Sequence, residues 1–512
     1  MQFKKKLIPA LVFSAVVGGG LAANSLNAYA DDSDDLAKLR AQIEELDQKI
    51  KILDRKNEIA EEEAAAKKKE NAVVKASAAD GFGIQSADGN FKLNLKGQFQ
   101  VNARSYINGV SSGNTNAAQQ NAADSFFIRQ ARPIISGTLF KDYDFLFVPD
   151  FGQGKTVIQD AYVNAKLQPW FQIQAGKQKT PFGIERLQAD SDGLFIERGL
   201  PNDLVPNRDI GAQIRGDLAN NTFSYSLGYF NGVTDGSSSD SYTTPDFDNN
   251  DNKSYVARIF ATPFKNEPGF LQGLGAGFAI DYADFVGTGT GVNAATAQTN
   301  SQSNLPSYKS GLGQLSVFSY RTAAAGANNG TFANGTQLRW SPQAYYYNGP
   351  FGLLAEYVQV DQDVGRIATG LIRSDKLSND AWQIGGSWII TGEDAGYSRP
   401  TPKSNFDFNS GGWGAWELVA RYSELNVDSK AFASAGAGTA AVRQARSYAD
   451  PTTSISKASA WAAGLNWYIN KDVKVYFDYE QTFYNGGWTN AAGAILDRPT
   501  ERVLETQLQL NF

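Results

Sequence analysis

From Phe91 onward the chain alternates. Phe91, Leu93, Leu95, Phe99, Val101 and Ala103 are apolar, and Lys92, Asn94, Lys96, Gln98, Gln100, Asn102 and Arg104 between them are polar or charged. A period of two sends successive side chains to opposite faces of a strand, so one face is apolar and the other is wet. The pattern returns at Ile210–Leu218, Trp416–Tyr422, Trp461–Ile469 and Val473–Tyr479. It closes the chain, with Leu504, Thr506, Leu508, Leu510 and Phe512 set against Glu505, Gln507, Gln509 and Asn511. Sixteen strands are predicted, near 91–104, 126–140, 143–150, 157–167, 170–180, 209–218, 222–230, 254–262, 274–284, 337–347, 351–360, 381–390, 414–424, 458–469, 473–484 and 502–512. The second, third and fifth alternate poorly, which leaves their facing open.

The links between strands carry a second pattern. Tight links are expected at 141–142, 168–169, 219–221, 348–350 and 470–472. Long ones are expected at 105–125, 181–208, 231–253, 285–336, 361–380, 425–457 and 485–501. Alternating short turns and long loops, with an even strand count, are the pattern of a bacterial transmembrane barrel. Residues 391–413 are long where a short turn is due, and 263–273 are intermediate. The expected fold is all-β: a 16-stranded antiparallel transmembrane β-barrel over 91–512, with an N-terminal α-helical coiled coil.

The N-terminal region has other periods. Residues 1–30 have the form of a signal peptide, with Lys4, Lys5 and Lys6, an apolar run from Leu7 to Ala22, and Ala28-Tyr29-Ala30 before Asp31. A membrane anchor is the alternative, disfavoured by the shortness of the run and by Pro9 and Gly18–Gly20. Within 31–72, Leu36, Leu39, Ile43, Leu46, Ile50 and Leu53 fall at spacings of three and four. This is a heptad seam with charged flanks, expected as a periplasmic coiled coil; a single amphipathic helix is the alternative. Residues 73–90 are expected as a linker.

Composition narrows the chemistry. The 512 residues include no Cys and no His. That removes thiolate and imidazole metal sites, disulfides, and the His-dependent hydrolases. No cofactor or metal is expected, and the barrel is not expected to be an enzyme. The 22 Tyr, 31 Phe and 9 Trp fit lipid-facing girdles. The formal charge of −6 becomes −9 once the three leader lysines are removed, giving no support for nucleic-acid binding.

Several segments resemble a known family, the phosphate- and polyphosphate-selective porins O and P. They include Asp88–Leu93, Phe127-Ile128-Arg129-Gln130-Ala131-Arg132, Gly176–Gly183, Phe195-Ile196-Glu197-Arg198, Asn207–Gly211, Gly414–Leu418 with Ala420–Ser423, and Gly464–Tyr468. The resemblance implies an outer-membrane homotrimer of 16-stranded barrels, each with its own water-filled pore for small anions such as phosphate or polyphosphate. It also implies that link 181–208 folds inward and narrows the pore.

Candidate pore-lining, anion-binding residues follow from facing and from the resemblance. Alternation turns Lys92, Lys96, Arg104, Arg215, Arg339, Arg421 and Lys474 inward, along with the acids Asp209, Asp217, Glu417, Asp478 and Glu480. Arg208 lies in the inward link, together with Arg186 and Arg198 and several carboxylates. Arg129 matches an arginine of the family's pore ladder, and Arg198 and Arg258 sit in matching segments. Gln98 and Gln130 stand where the family often has arginine. A general or sugar-permitting porin with weak ion selectivity is therefore the second reading; an outer-membrane enzyme barrel, disfavoured by the absence of His, is a third, and an anchored adhesive protein a fourth. Outer-membrane lipid, lipopolysaccharide and small anionic solutes are the expected partners, with peptidoglycan contact through the coiled coil.

Overall fold

A computed structural model describes residues 32–70, 72–77, 81–107, 122–239, 253–286, 305–322, 330–368, 371–490 and 493–512. The expected signal peptide lies outside them, as do parts of the links 105–125, 231–253 and 285–336. The chain forms two units, 1–70 and 71–512.

In the first unit, α1 spans Asp32–Glu70. Its seam residues Leu36, Leu39, Ile43, Leu46, Ile50 and Leu53 are 54–60 % exposed, so the helix carries an open apolar stripe. Exposed pairs Lys49–Glu45 and Lys51–Asp47, one turn apart, brace its charged face.

The second unit is a closed barrel of sixteen antiparallel strands. They are β1 (Lys92–Tyr106), β2 (Ser125–Leu139), β3 (Tyr143–Asp150), β4 (Val157–Gln168), β5 (Phe171–Lys179), β6 (Arg208–Leu218), β7 (Phe223–Phe230) and β8 (Ser254–Ala261), followed by β9 (Leu274–Val286), β10 (Thr331–Asn348), β11 (Phe351–Ala368), β12 (Leu371–Ile389), β13 (Ala415–Asn426), β14 (Ile455–Tyr468), β15 (Val473–Thr489) and β16 (Glu501–Asn511). Each pairs with the next, and β16 returns to β1 from Val503↔Tyr106 to Asn511↔Gln98. Closure leaves no open edge along the wall, the condition for crossing lipid with strands. Among the described residues, no helix is long and apolar enough to cross a membrane.

The outer face is apolar through the middle of the wall. A belt of outward rings runs through Trp340, Tyr357, Trp382, Tyr422, Trp461 and Tyr479, with centroids 5.2 Å apart for Trp340–Tyr357, 5.4 Å for Trp382–Tyr422 and 5.2 Å for Trp461–Tyr479. A second belt, near the short-turn end, includes Phe351–Trp388 and Trp416–Trp467. Amphipathic rings at two levels mark the two interfaces of a bilayer.

Two expectations are corrected, and the poor alternation of one strand is explained. The link 361–380 is not a long loop, because β11 runs on to Ala368 and β12 starts at Leu371. Beyond the Tyr357 belt the alternation persists but its polarity inverts. Asp361 and Asp363 are at the outward positions, while Val358, Val360, Val364 and Leu377 are buried inside. Strand β2 is offset by a bulge: Gln100 pairs with Gln130 but Val101 with Ile128, leaving Arg129 as the extra residue. A bulge re-aims side chains, which explains the poor alternation there. The expected linker contains a hairpin, Val73–Ser77 with Gly81–Gln85. Its second strand pairs with β1 from Phe82↔Leu95 to Gln85↔Lys92. Phe82 and Ile84 continue the apolar exterior, and Phe82 meets Phe512 edge-on at 6.3 Å. Gly81 has φ +66 and lies so close to Leu95 O that a Cβ there would sit 2.3 Å from it.

The main core lies inside the long-loop end. Phe182, Leu200, Leu204 and Val205 of the link after β5 pack there with Tyr308, Val317, Phe318 and Tyr320 of the link after β9, with Tyr448 of the link after β13, and with wall residues including Val358, Leu377 and Leu425.

Candidate pore and its constriction

The segment between β5 and β6 enters the barrel because its apolar residues have a core to join. Phe182, Ile184, Leu200, Leu204 and Val205 are 1 % exposed or less. Pro181, Pro201 and Pro206 keep it from continuing either strand. It carries one short helical turn, Ile184–Leu187, and one 3-10 turn, Leu200–Asp203.

Backbone and amide hydrogen bonds fasten the inserted loop mainly to one side of the wall, and ion pairs tie it to β1 and β2 as well. Ile184 N donates to Glu356 Oε1 at 2.8 Å, and Ile196 N donates to Asp478 Oδ2 at 2.7 Å. Asn466 Nδ2 donates to Leu194 O at 2.9 Å, Lys474 Nζ to Gly193 O at 3.0 Å, and Gln509 Nε2 to Ser191 O at 3.0 Å. These hold the loop against β11 and β14–β16. The opposite arc stays open as a cavity of about 580 Å³.

The cavity is charged and basic in balance. Arg132, Lys179, Arg208, Arg215 and Arg258 line it, against Asp160, Asp190 and Asp217, with Gln98, Gln174, Gln178 and Gln213 between. Asp190 is its hub. Lys179 Nζ lies 3.4 Å, Arg198 Nη2 2.6 Å and Arg208 Nη2 3.6 Å from its oxygens, and Arg132 Nη1 bonds it as well. Burial alone would push this loop carboxyl up, but the surrounding cations hold it well below the usual range.

The expected site residues divide into four groups. Arg208, Arg215 and Arg258 line the cavity. Arg129, Arg104 and Arg421 face carboxylates that clamp the loop. Glu197 meets Arg129 at 2.8 Å and Arg104 at 3.3 Å, while Glu505 meets Arg104 at 2.9 Å. Arg421 meets Glu185 and Glu480, each at 3.2 Å. Arg198 joins the Asp190 hub. Lys96 is half-buried on β1, opposite Ile134, and is not among the cavity's lining residues. The structure adds Arg132 and Lys179 to the lining. Arg132 was obscured by the bulge at Arg129. Lys179 is the last residue of β5, beside the inward turn.

A closed sixteen-stranded barrel with ring belts outside, a wet charged lumen and an inward-folded loop defines a bacterial outer-membrane porin, a channel protein. This chain belongs to the phosphate-selective porin O and P family, whose profile matches residues 98–512. No curated protein matches it in sequence. Among solved structures it is similar to the outer membrane channel DcaP of Acinetobacter baumannii, at 11 % identity over 83 % of this chain and 98 % of that one, with a TM-score of 0.47. OmpT of Vibrio cholerae, expressed in the outer membrane, matches at 11 % identity over 83 % and 98 %, with a TM-score of 0.46. An anion-selective porin from Comamonas acidovorans matches at 11 % identity over 82 % and 100 %, with a TM-score of 0.45.

Proposed function

We propose that this porin passes small anions by passive diffusion, with phosphate or polyphosphate among its solutes. The observation that carries this is the cavity beside the inserted loop, lined by five basic side chains and three carboxylates. A wall of one dominant sign in a narrow aqueous path concentrates the opposite ion. Guanidinium groups add two-pronged binding to oxyanions, which chloride cannot match. Family membership supports phosphate as the preferred oxyanion. The test is the reversal potential of single channels in a KCl gradient, followed by titration with phosphate. A potential of the anion sign, with conductance falling as phosphate is added, is the expected result. A potential near zero without phosphate block leaves the general porin, a reading favoured by the carboxylates facing Arg129, Arg104 and Arg421.

The barrels assemble as homotrimers in this reading, in keeping with the family. Lipopolysaccharide and lipid surround their ring belts. The exposed heptad seam of α1 supports a periplasmic coiled coil between copies, placed to touch peptidoglycan. Deleting residues 32–70 tests that role. Trimer melting and cell-wall co-sedimentation should both fall, while conductance stays unchanged.

A further inference from the structure

The link 391–413 joins β12 to β13 at the short-turn end and straddles the rim of the barrel. Its first half lies inside. Gln188 Nε2 of the inserted loop donates to Tyr397 O at 2.7 Å, and the Tyr397 hydroxyl bonds Ile184 O. The Tyr397 ring stacks on Tyr345, with centroids 5.6 Å apart. Arg399 Nε lies 3.8 Å from Asp192 Oδ1 of the same loop. Its second half lies outside. Phe406 N donates to Ile469 O at 2.8 Å, just past β14. The Phe406 ring packs edge-on against Trp467 of the outer belt at 5.0 Å, and Phe408 packs edge-on against Phe406 at 4.7 Å. Pro400 and Pro402 lie in the crossing between the halves, and their fixed φ stiffens it. Lys403 N donates to Glu393 Oε1 at 3.0 Å, tying the crossing back to the start of the link.

The outer half ends in uncovered rings. Phe408 is 90 % and Trp413 71 % exposed. They continue the belt of the wall beyond its last strand residues. Trp413 O accepts from the indole N–H groups of both Trp416 and Trp467, at 3.2 and 3.0 Å. The polar edges of those two belt residues are thus satisfied by the link, and the link's own rings stand at the outermost level. Rings at that level meet the headgroup region of a bilayer. The same device recurs at the link 263–273. Tyr346 of the outer face donates its hydroxyl to Phe270 O at 2.6 Å, and Phe270 is 72 % exposed beside it. Asp407, between Phe406 and Phe408, directs its carboxylate into its own turn, where Asn409 N and Ser410 Oγ each donate at 2.8 Å. Continuity with the lipid-facing belt makes phospholipid the occupant of this surface.

We propose that Phe408 and Trp413 dock in the periplasmic phospholipid leaflet, making the link 391–413 a strut between that leaflet and the loop that narrows the pore. Short turns face the periplasm in barrels of this class. Through Tyr397 and Arg399 the docked link steadies the loop from below. The strut depends on the barrel's place in the membrane, not on its choice of solute.

The chain has no Cys, so one introduced Cys carries one nitroxide label. Full-length Phe408→Cys and Trp413→Cys are labelled in vesicles of phosphatidylethanolamine and phosphatidylglycerol. Leu418→Cys, on the apolar wall, is the lipid reference, and Lys430→Cys, exposed at the long-loop end, is the water reference. Heat-modifiable gel migration confirms that each variant folds. Power saturation with oxygen and with a nickel chelate then reads the depth of each label. Both link labels should lie roughly 5–10 Å into the headgroup–acyl boundary, with oxygen access near that of Leu418 and nickel access below that of Lys430. Nickel access equal to that of Lys430 would leave the rings in water, and low access to both reagents would put protein against them; either result overturns the docking. The strut is read in planar bilayers with the double variant Phe408→Ser, Trp413→Ser, whose open-channel current noise should broaden relative to wild type. Unchanged noise overturns the strut even where the labels are docked.

Discussion

Arg129 and Glu197 meet in a two-pronged contact, Nε to Oε1 at 2.8 Å and Nη2 to Oε2 at 2.9 Å. One residue is the bulged position of β2 and the other sits on the inserted loop. The contact fixes the loop and cancels a cation that would otherwise act on the pore. Glu197→Gln should therefore raise the anion-to-cation permeability ratio, and Arg129→Ala should lower it, each by roughly twofold. Reversal potentials of the two variants should shift in opposite directions. A shift of the same sign in both would mean that the pair acts only through loop position.

Asp190→Asn removes the one carboxylate shared by Lys179, Arg132, Arg198 and Arg208. Four like charges are then left close together, at a cost of about 3–5 kcal/mol, by the rule for breaking a buried pair. The same change strengthens the field on a passing anion. We expect a lower melting temperature, together with stronger anion preference and tighter phosphate block. Added phosphate should restore part of the lost thermal stability by binding the folded form, which differential scanning calorimetry would detect.

Phe182 is fully buried where the loop leaves β5. Truncation to alanine should cost about 3–5 kcal/mol through lost packing and the cavity left behind. A loosened loop retracts toward the wall less reliably, so single-channel conductance should become larger and noisier. Thermal melting and current recordings check the two effects independently.

Gln98→Arg adds a cation next to the lining residue Arg132, its register partner on β2. Anion preference should rise and conductance should fall, since a larger side chain then occupies the path. Unchanged selectivity would show that the narrowest point lies away from this pair.

How much of this was legible in the sequence depended on where the partners lay. The strands of β1, β6, β13, β15 and β16 stood out because lipid on one side and water on the other demand strict alternation. Arg215 and Arg258 were identified as candidates, since facing and family resemblance both act over a short stretch. The upper halves of β11 and β12 were missed because their apolar side faces inward there, against the link cores, and a search for an outward apolar stripe discards them. The clamp on the inserted loop was hidden for another reason. Glu356, Asp478 and Arg421 lie well over a hundred residues from the loop atoms they hold, and no local pattern encodes such pairs. The hairpin over 73–85 was lost to its small, polar-rich composition, although Phe82 and Ile84 keep the two-residue period.

The inversion of polarity along β11 and β12 has a consequence for manufacture. Below the Tyr357 belt the wall can be finished by lipid alone, as the strands insert. Above it the same strands end in a small water-facing domain with an ordinary buried interior, which forms only after loops from distant parts of the chain have arrived. Assembly therefore has two stages with different solvents. A substitution that empties this interior, at Tyr308 or Leu377 for example, would leave the membrane-facing wall intact and the mouth unfilled.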